Sequence, residues 1–147
     1  MVHKQIVFPL VADSEGYPPV SSEGLWAIEL PNGNMRIDSI PFYVRGISKD
    51  DEVQFERDQH GELWYRGLVR PSKNSTFRLF VSSVEALQEI RSDLNALGAE
   101  SEANETAGLI AVGVLGHTPI GPVLAYMMDG KVQGRFDFEE AALRHNI

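Results

Sequence analysis

The chain has 147 residues, of which 43% are apolar and 23% are charged, and its formal net charge is −8. This composition is typical of a folded globular protein, since disordered chains are less apolar. The absence of cysteine excludes a disulfide framework, a thiolate metal site and a cysteine nucleophile. The longest apolar run, residues 107–116, is far shorter than the roughly 20 residues that span a bilayer.

Residues 1–70 contain five short runs with strand character, separated by turn signals at close intervals. This pattern favours a curved antiparallel sheet or partial barrel. Asn32-Gly33 is typical of a tight hairpin turn, because both residues tolerate positive φ angles. Trp26 and Trp64 are expected in the core, since tryptophan buries a large apolar area. The predicted strands are residues 4–11, 25–30, 35–40, 52–58 and 62–70.

Residues 71–147 alternate between strand and helix patterns. Ser82 and Glu85 form a capping-box pattern before an apolar stripe that continues to Leu97, which predicts a helix ending at Gly98. Residues 100–106 are interpreted as a polar link. The remaining predictions are strands at 76–81 and 108–115, a helix at 118–128 that ends at Asp129-Gly130, and a short terminal helix at 136–145.

The predicted fold class is therefore α+β. An N-terminal curved antiparallel sheet or partial barrel, residues 1–70, is followed by a βαβα ferredoxin-like half, residues 71–147. Whether the two halves share one core is left open by the sequence.

The sequence contains no recognisable motif for a cofactor, a metal ion or a catalytic residue set. The four histidines lack the spacing of a metal pair. The glycine-bearing turn at residues 113–119 lacks the lysine of a phosphate loop. We therefore expect no cofactor, no metal site and no catalytic residues.

Two sets of polar residues are candidate binding sites. Glu23, Ser75 and Arg78 would form a polar ligand site or an enzyme site between the halves, if the fold brought them together. The second set comprises two local acidic clusters, which would form a docking surface for a basic partner: Asp50, Asp51 and Glu52, and Glu100, Glu102 and Glu105.

Several short motifs resemble a bacterial family of small domains of unknown function. They are Phe8-Pro9, residues 16–20 (GYPPV), Glu23-x-Leu25-Trp26, residues 40–43 (IPFY), residues 46–50 (GISxD) and residues 74–78 (NSTxR). Lys73-Asn74 stands where the family pattern has a pair similar to Gly-His. The resemblance implies a stand-alone cytoplasmic protein and brings no established activity with it.

The leading hypothesis is a non-catalytic protein-binding domain, of the immunity or antitoxin type, that neutralises a basic toxin by steric and electrostatic occlusion. Small size, acidity and the lack of a cofactor motif motivate it. The acidic balance disfavours nucleic acid and anionic membranes as partners. The alternative is a small-ligand sensor or an enzyme that uses Glu23, Ser75 and Arg78. The lack of cysteine and of a signal sequence indicates a cytoplasmic location.

Overall fold

A computed structural model describes residues 2–147 of the chain. Within these residues the fold is mixed α+β, made mostly of strands, with two α-helices. The chain divides into two compact units, one that continues through Ser72 and one from Lys73 to Ile147. Each unit contains its own cluster of buried apolar side chains. No helix among the described residues has the length and apolarity needed to cross a bilayer.

The first unit is a closed five-stranded barrel in which each strand pairs with the next along the chain. All four consecutive pairs are antiparallel, whereas β1 and β5 close the barrel in parallel. The parallel closure follows from the odd number of strands, because the first and last strands of an up-and-down arrangement then run in the same direction. The strands are β1 His3–Pro9, β2 Ser22–Glu29, β3 Met35–Ile37, β4 Glu52–Arg57 and β5 Leu63–Arg70.

The predicted hairpin turns are confirmed. Gly33 and Gly61 both have positive φ, at 89° and 84°, between β2 and β3 and between β4 and β5. The prediction that Trp26 belongs to the core is wrong. Leu25 and Ala27 point into the barrel and are buried, while Trp26 is 49% exposed. Alternation along β2 places Trp26 on the opposite face from its two neighbours, and the interior of a small barrel fits Ala27 better than an indole.

The second unit is a four-stranded sheet with two helices on one face. Its strand order is β7-β8-β6-β9, and every neighbouring pair is antiparallel. The elements are β6 Ser75–Val81, a 3-10 helix Val84–Ala86, α1 Leu87–Ala96, β7 Glu100–Asn104, β8 Leu109–Val114, α2 Gly121–Val132 and β9 Phe136–Ala142.

The predicted βαβα order of this unit is wrong, because two segments are strands. Residues 136–145 do not form a helix; β9 pairs with β6 instead, and Phe136 is buried in the core. Residues 100–106, interpreted as a link, contain β7, which pairs with β8. Asp129-Gly130 does not end α2, which continues to Val132 before Gly134 adopts a positive φ of 73°.

The apolar stripe predicted for α1 is confirmed, since Leu87, Ile90 and Leu94 are buried. Gly98 follows the helix with a φ of 89°, as a left-handed terminating residue. The predicted capping box of Ser82 and Glu85 is wrong, because the N-cap residue of the 3-10 helix makes no side-chain capping hydrogen bond. Ser83, not Ser82, precedes the 3-10 helix, and its hydroxyl donates to Glu85 at 2.7 Å.

Candidate functional site

The first unit carries a pocket of about 500 Å3 at one end of the barrel, with aromatic walls. We call it the aromatic pocket. Its volume is within the roughly 300–1,000 Å3 of typical ligand sites. The residues that line it are Phe8, Pro9, Leu10, Val11, Asp13, Tyr17, Pro18, Tyr43, Val44, Arg45, Gly46, Ile47 and Tyr65.

The floor of the aromatic pocket belongs to the barrel strands. Phe8, near the end of β1, stacks on Tyr65 of β5 with ring centroids 4.5 Å apart. Phe8 is buried and Tyr65 is half-buried. Burial raises the pKa of the Tyr65 phenol, and the Asp51 carboxylate nearby adds to that rise. Tyr65 is therefore a neutral hydroxyl at physiological pH.

The rim of the aromatic pocket is formed by two loops. Tyr17, from the loop before β2, meets Tyr43, from the loop after β3, edge to face at a centroid distance of 6.1 Å. Asp13 accepts hydrogen bonds from the backbone N–H groups of Glu15 and Tyr17, at 2.8 and 3.0 Å. The bond from Tyr17 is the main cause of the lowered pKa of Asp13, and the charge of Arg45 contributes. The rim therefore carries a stable carboxylate.

Glu23, one of the predicted site residues, positions the loop that carries Tyr43. Its two carboxylate oxygens accept the backbone N–H groups of Phe42, Tyr43 and Val44 at 2.7, 2.9 and 2.9 Å. Three donors on one carboxylate occupy most of its acceptor capacity. Glu23 thus shapes one wall of the aromatic pocket through the backbone, although its side chain does not line it.

Ser75, the second predicted residue, holds the C-terminal segment of the second unit. Its Oγ lies 2.7 Å from His145 Nδ1, while His145 Nε2 lies 3.0 Å from the carbonyl oxygen of Leu115. A carbonyl only accepts, so Nε2 carries the proton and Nδ1 accepts from Ser75. Ser75 Oγ also accepts the backbone N–H groups of Arg144 and His145.

Ser75 Oγ and His145 Nδ1 lie at the hydrogen-bond distance that a nucleophile and its general base require. Ser75 is nevertheless fully buried, and its oxygen already takes part in three hydrogen bonds. A substrate would have to displace the C-terminal segment to reach it. The arrangement therefore stabilises the fold of the second unit.

Arg78 is the third predicted residue and lies in the same strand as Ser75. Its side chain is fully buried and faces Glu139 of β9 at 3.6 Å. Phe77 and Leu79, on either side of it, enter the core beneath the helices, so Arg78 is on the opposite face of the sheet. Within the described residues, Glu23 belongs to the first unit and Ser75 and Arg78 to the second.

The first acidic cluster is mostly internal to its own turn. Asp51 is fully buried and accepts the backbone N–H groups of Ser48 and Ser72 at 2.9 and 2.8 Å. Glu52 is buried beneath the hairpin turn, where two asparagine side-chain amides donate to it and lower its pKa. Only Asp50 is exposed, so a docking contact through Asp51 or Glu52 would require this turn to open.

The second acidic cluster follows an edge of the sheet. Glu100 and Glu102 are on β7, which is the outermost strand of the order β7-β8-β6-β9, and Glu105 is in the turn after it. Glu102 and Glu105 are exposed, and Glu100 is half-buried. Glu100 and Glu102 are two residues apart in a strand and share one face. Glu100 and Glu102 therefore project from one face of the sheet at its outermost strand, on the side opposite the helices.

Burial raises the pKa of the Tyr126 phenol to about 12, the largest such shift among the described residues. Its hydroxyl donates to Asp93 at 2.7 Å and so ties α2 to α1. Arg135 lies 5.8 Å from the Tyr126 ring. This network connects the two helices, and burial together with the hydrogen bond to Asp93 accounts for the raised pKa of Tyr126.

Among residues 2–147, no group of three or more histidine, aspartate or glutamate side chains is arranged to hold a metal ion. The aromatic pocket was not predicted from the sequence. Its aromatic residues come from four separate segments, and only the barrel closure brings them together. The proline-rich loop at residues 16–20 was the one local signal.

A family model described as "Domain of unknown function (DUF4265)" matches residues 23–138. No curated protein matches the chain. The solved structure of a hypothetical protein from Neisseria gonorrhoeae is similar, with a TM-score of 0.77 and 18% sequence identity. The similarity covers 97% of this chain and 96% of that one. At this identity the likeness shows a shared fold and nothing further.

Proposed function

The chain belongs to the DUF4265 family, a domain of unknown function, and we propose that it is a non-catalytic protein-binding domain. In this proposal it acts as an immunity or antitoxin protein. It neutralises a basic toxin by covering the toxin's active-site cleft. The alternative is a small-ligand sensor or an enzyme that uses Glu23, Ser75 and Arg78.

The observation that supports this proposal is the acidic edge of the second unit, formed by Glu100, Glu102 and Glu105 along β7. β7 has a neighbouring strand on one side only, so its other side is a sheet edge. The Ser101 carbonyl of β7 accepts from the Arg91 side chain of α1. A partner strand can add to such an edge, with main-chain hydrogen bonds giving affinity and side chains giving specificity. Carboxylates beside the edge favour a partner strand rich in lysine or arginine.

The overall charge of −8 acts in the same direction. A negative field speeds the encounter with a positively charged protein and slows the encounter with acidic ones. Screening by salt weakens this steering, because the Debye length falls from about 10 Å at 0.1 M to about 3 Å at 1 M. Binding that depends on the acidic edge is therefore sensitive to ionic strength.

The hydrogen bonding of the alternative site also supports a recognition role. Glu23 and Ser75 have most of their acceptor capacity committed to backbone N–H groups. A general base or nucleophile needs a lone pair that faces substrate.

The proposal includes two finer statements about the chain. The second unit is a ferredoxin-like half, supported by its βαββαβ element order and by its antiparallel strand order β7-β8-β6-β9. The protein works in a bacterial cytoplasm, where cysteine is not needed for disulfides.

The proposal is tested by co-expressing the chain with basic toxins encoded beside its gene and by measuring growth. We expect one toxin to be neutralised and to bind the purified chain stoichiometrically. Glu102→Lys should weaken that binding about tenfold, equivalent to about 1.4 kcal/mol, and added salt should weaken the binding of the unaltered chain.

The matched control is Glu140→Lys, because Glu140 is an exposed acid on β9, the opposite edge strand of the same sheet. It changes the net charge by the same amount and should leave the affinity nearly unchanged. Equal loss in both variants would show a general charge effect and contradict docking at β7. Failure to neutralise any neighbouring toxin would contradict the immunity role itself.

A further inference from the structure

The aromatic pocket of the first unit is separate from the acidic edge and is not used by the proposed function. Phe8, Tyr17, Tyr43 and Tyr65 supply four aromatic rings, and Pro9 and Pro18 supply two proline rings. Phe8 and Tyr65 are held by stacking, and Tyr17 and Tyr43 by their edge-to-face contact. Ring–ring contacts therefore hold both pairs of aromatic side chains in place.

A wall of fixed aromatic rings suits a ligand that is itself rigid and ring-bearing. A polyproline II segment meets this description, because its backbone is already extended and loses little entropy on binding. Its carbonyl groups make no internal hydrogen bonds and so accept from groups on a binding surface. Phenol hydroxyls and the guanidinium of Arg45, which also lines the pocket, are such donors.

The negative charge at the rim of the aromatic pocket favours a basic residue next to the prolines of the ligand. Asp13 is exposed, and two backbone N–H groups fix its carboxylate at the mouth of the pocket. Its pKa is lowered, so the negative charge persists through the physiological range. Glu15, also exposed, adds a second carboxylate in the same loop. These two carboxylates exceed the single positive charge of Arg45, which also lines the pocket, so the rim complements an arginine or lysine at one end of the segment.

We propose that the aromatic pocket binds a proline-rich peptide segment in the polyproline II conformation, with a basic residue at one end that pairs with Asp13. The occupant is a partner protein's extended segment. The proposal does not depend on the toxin-neutralising role, because the pocket and the acidic edge belong to different units of the chain.

The full chain is titrated with a synthetic oligoproline peptide that ends in arginine, and binding is monitored by NMR and by fluorescence anisotropy. We expect saturable binding, with shifts of backbone resonances in the loops that carry Tyr17 and Tyr43. Tyr43→Leu should weaken binding about tenfold, because it removes one aromatic surface and its hydroxyl. The Tyr43 backbone N–H, which Glu23 accepts, remains in this variant.

The matched control is Trp26→Leu, which removes an exposed aromatic ring outside the aromatic pocket and should leave binding unchanged. Asp13→Asn is the second variant, in case Tyr43→Leu lowers the stability of the fold. It should weaken binding of the arginine peptide and leave a peptide ending in glutamine unaffected. Glu102→Lys should not alter peptide binding. The peptide-binding test and the toxin-binding test of the acidic edge can therefore fail independently of each other.

The proposal would be overturned by any of the results that follow. One is the absence of saturable binding of the peptide, and another is equally strong binding of a control peptide in which alanine replaces every proline. A third is a peptide affinity that both Tyr43→Leu and Asp13→Asn leave unaltered. A fourth is self-association of the chain that Tyr43→Leu abolishes. Full displacement of the peptide by indole, with equal affinity for indole alone, would show a small-molecule site instead.

Discussion

Glu23 connects the barrel to the loop that forms one wall of the aromatic pocket. Glu23→Gln keeps the size of the side chain and removes its charge, and it replaces one acceptor oxygen by an N–H donor. Three backbone N–H groups then face a single carbonyl oxygen and an amide that repels one of them. We expect the free energy of unfolding to fall by about 2 kcal/mol, the range of hydrogen bonds to charged groups.

Urea denaturation measures this change, and Glu62→Gln is the control because Glu62 is exposed in a turn of the same unit. The control should change stability by less than about 0.5 kcal/mol. An equally small effect of Glu23→Gln would show that the loop holds its shape without the carboxylate.

Individual residues also show where sequence reasoning reaches its limit. The positive φ angles of Gly33, Gly61 and Gly98 were predictable, because each follows from local turn chemistry. The exposure of Trp26 and the burial of Asp51 were not. Residues distant in sequence decide which face of a strand points into the core, and they also supply the hydrogen-bond donors of a buried carboxylate.

At the scale of elements, α2 and β9 are fitted to each other at one glycine. Gly130 is buried in α2, and a methyl group added there would overlap the Phe136 ring. Alanine improves intrinsic helix propensity by about 1 kcal/mol, but overpacking costs about 1–3 kcal/mol. The difference is a loss of up to about 2 kcal/mol, so we expect Gly130→Ala to destabilise the protein in thermal or urea unfolding.

Gly121→Ala is the matched control in the same helix. Its added methyl group would meet no atom within 4 Å other than those of its chain neighbours. Pro122 follows it, and a residue that carries a Cβ is disfavoured in the helical region before proline, which offsets the gain in helix propensity. We expect stability to change by less than about 0.5 kcal/mol. If both variants were equally stable, the close packing of α2 on Phe136 would be wrong.

Elements with a strong local pattern were predictable, as α1 and the barrel strands show. β9 was not, because Glu139, Glu140, Ala141 and Ala142 favour a helix intrinsically. The alternation of Phe136 and Phe138 with acidic residues was the local signal for a strand, and pairing with β6 determines the outcome. β7 is polar and half-buried, so it lacks the apolar alternation by which an edge strand is usually found.

At the scale of the whole molecule, the stability of both units depends on carboxylates that remain ionised. The pKa is lowered for five groups, mainly by hydrogen bonds from N–H or hydroxyl donors: Asp13, Glu52, Asp58, Glu85 and Asp137. A carboxyl whose pKa is lower in the folded state stabilises the fold above its unfolded value of 3.8 or 4.5. That stabilisation is lost as the pH falls through the folded pKa.

We therefore expect the urea midpoint to fall between about pH 5 and about pH 2. Asp58→Asn should lower the midpoint at neutral pH, where Trp64 donates its indole N–H to the ionised carboxylate. At low pH the variant and the unaltered chain should approach each other, because both side chains are then neutral. A midpoint that rises on acidification would contradict this account.

The central claim is that β7 is the edge at which the chain meets a basic partner. Hydrogen–deuterium exchange of the chain alone and in complex with the proposed toxin partner tests this most directly. The account predicts slower exchange across residues 100–106 in the complex, and faster exchange again when Glu102→Lys weakens the contact. Unchanged exchange at β7, with protection confined to other segments, would contradict it.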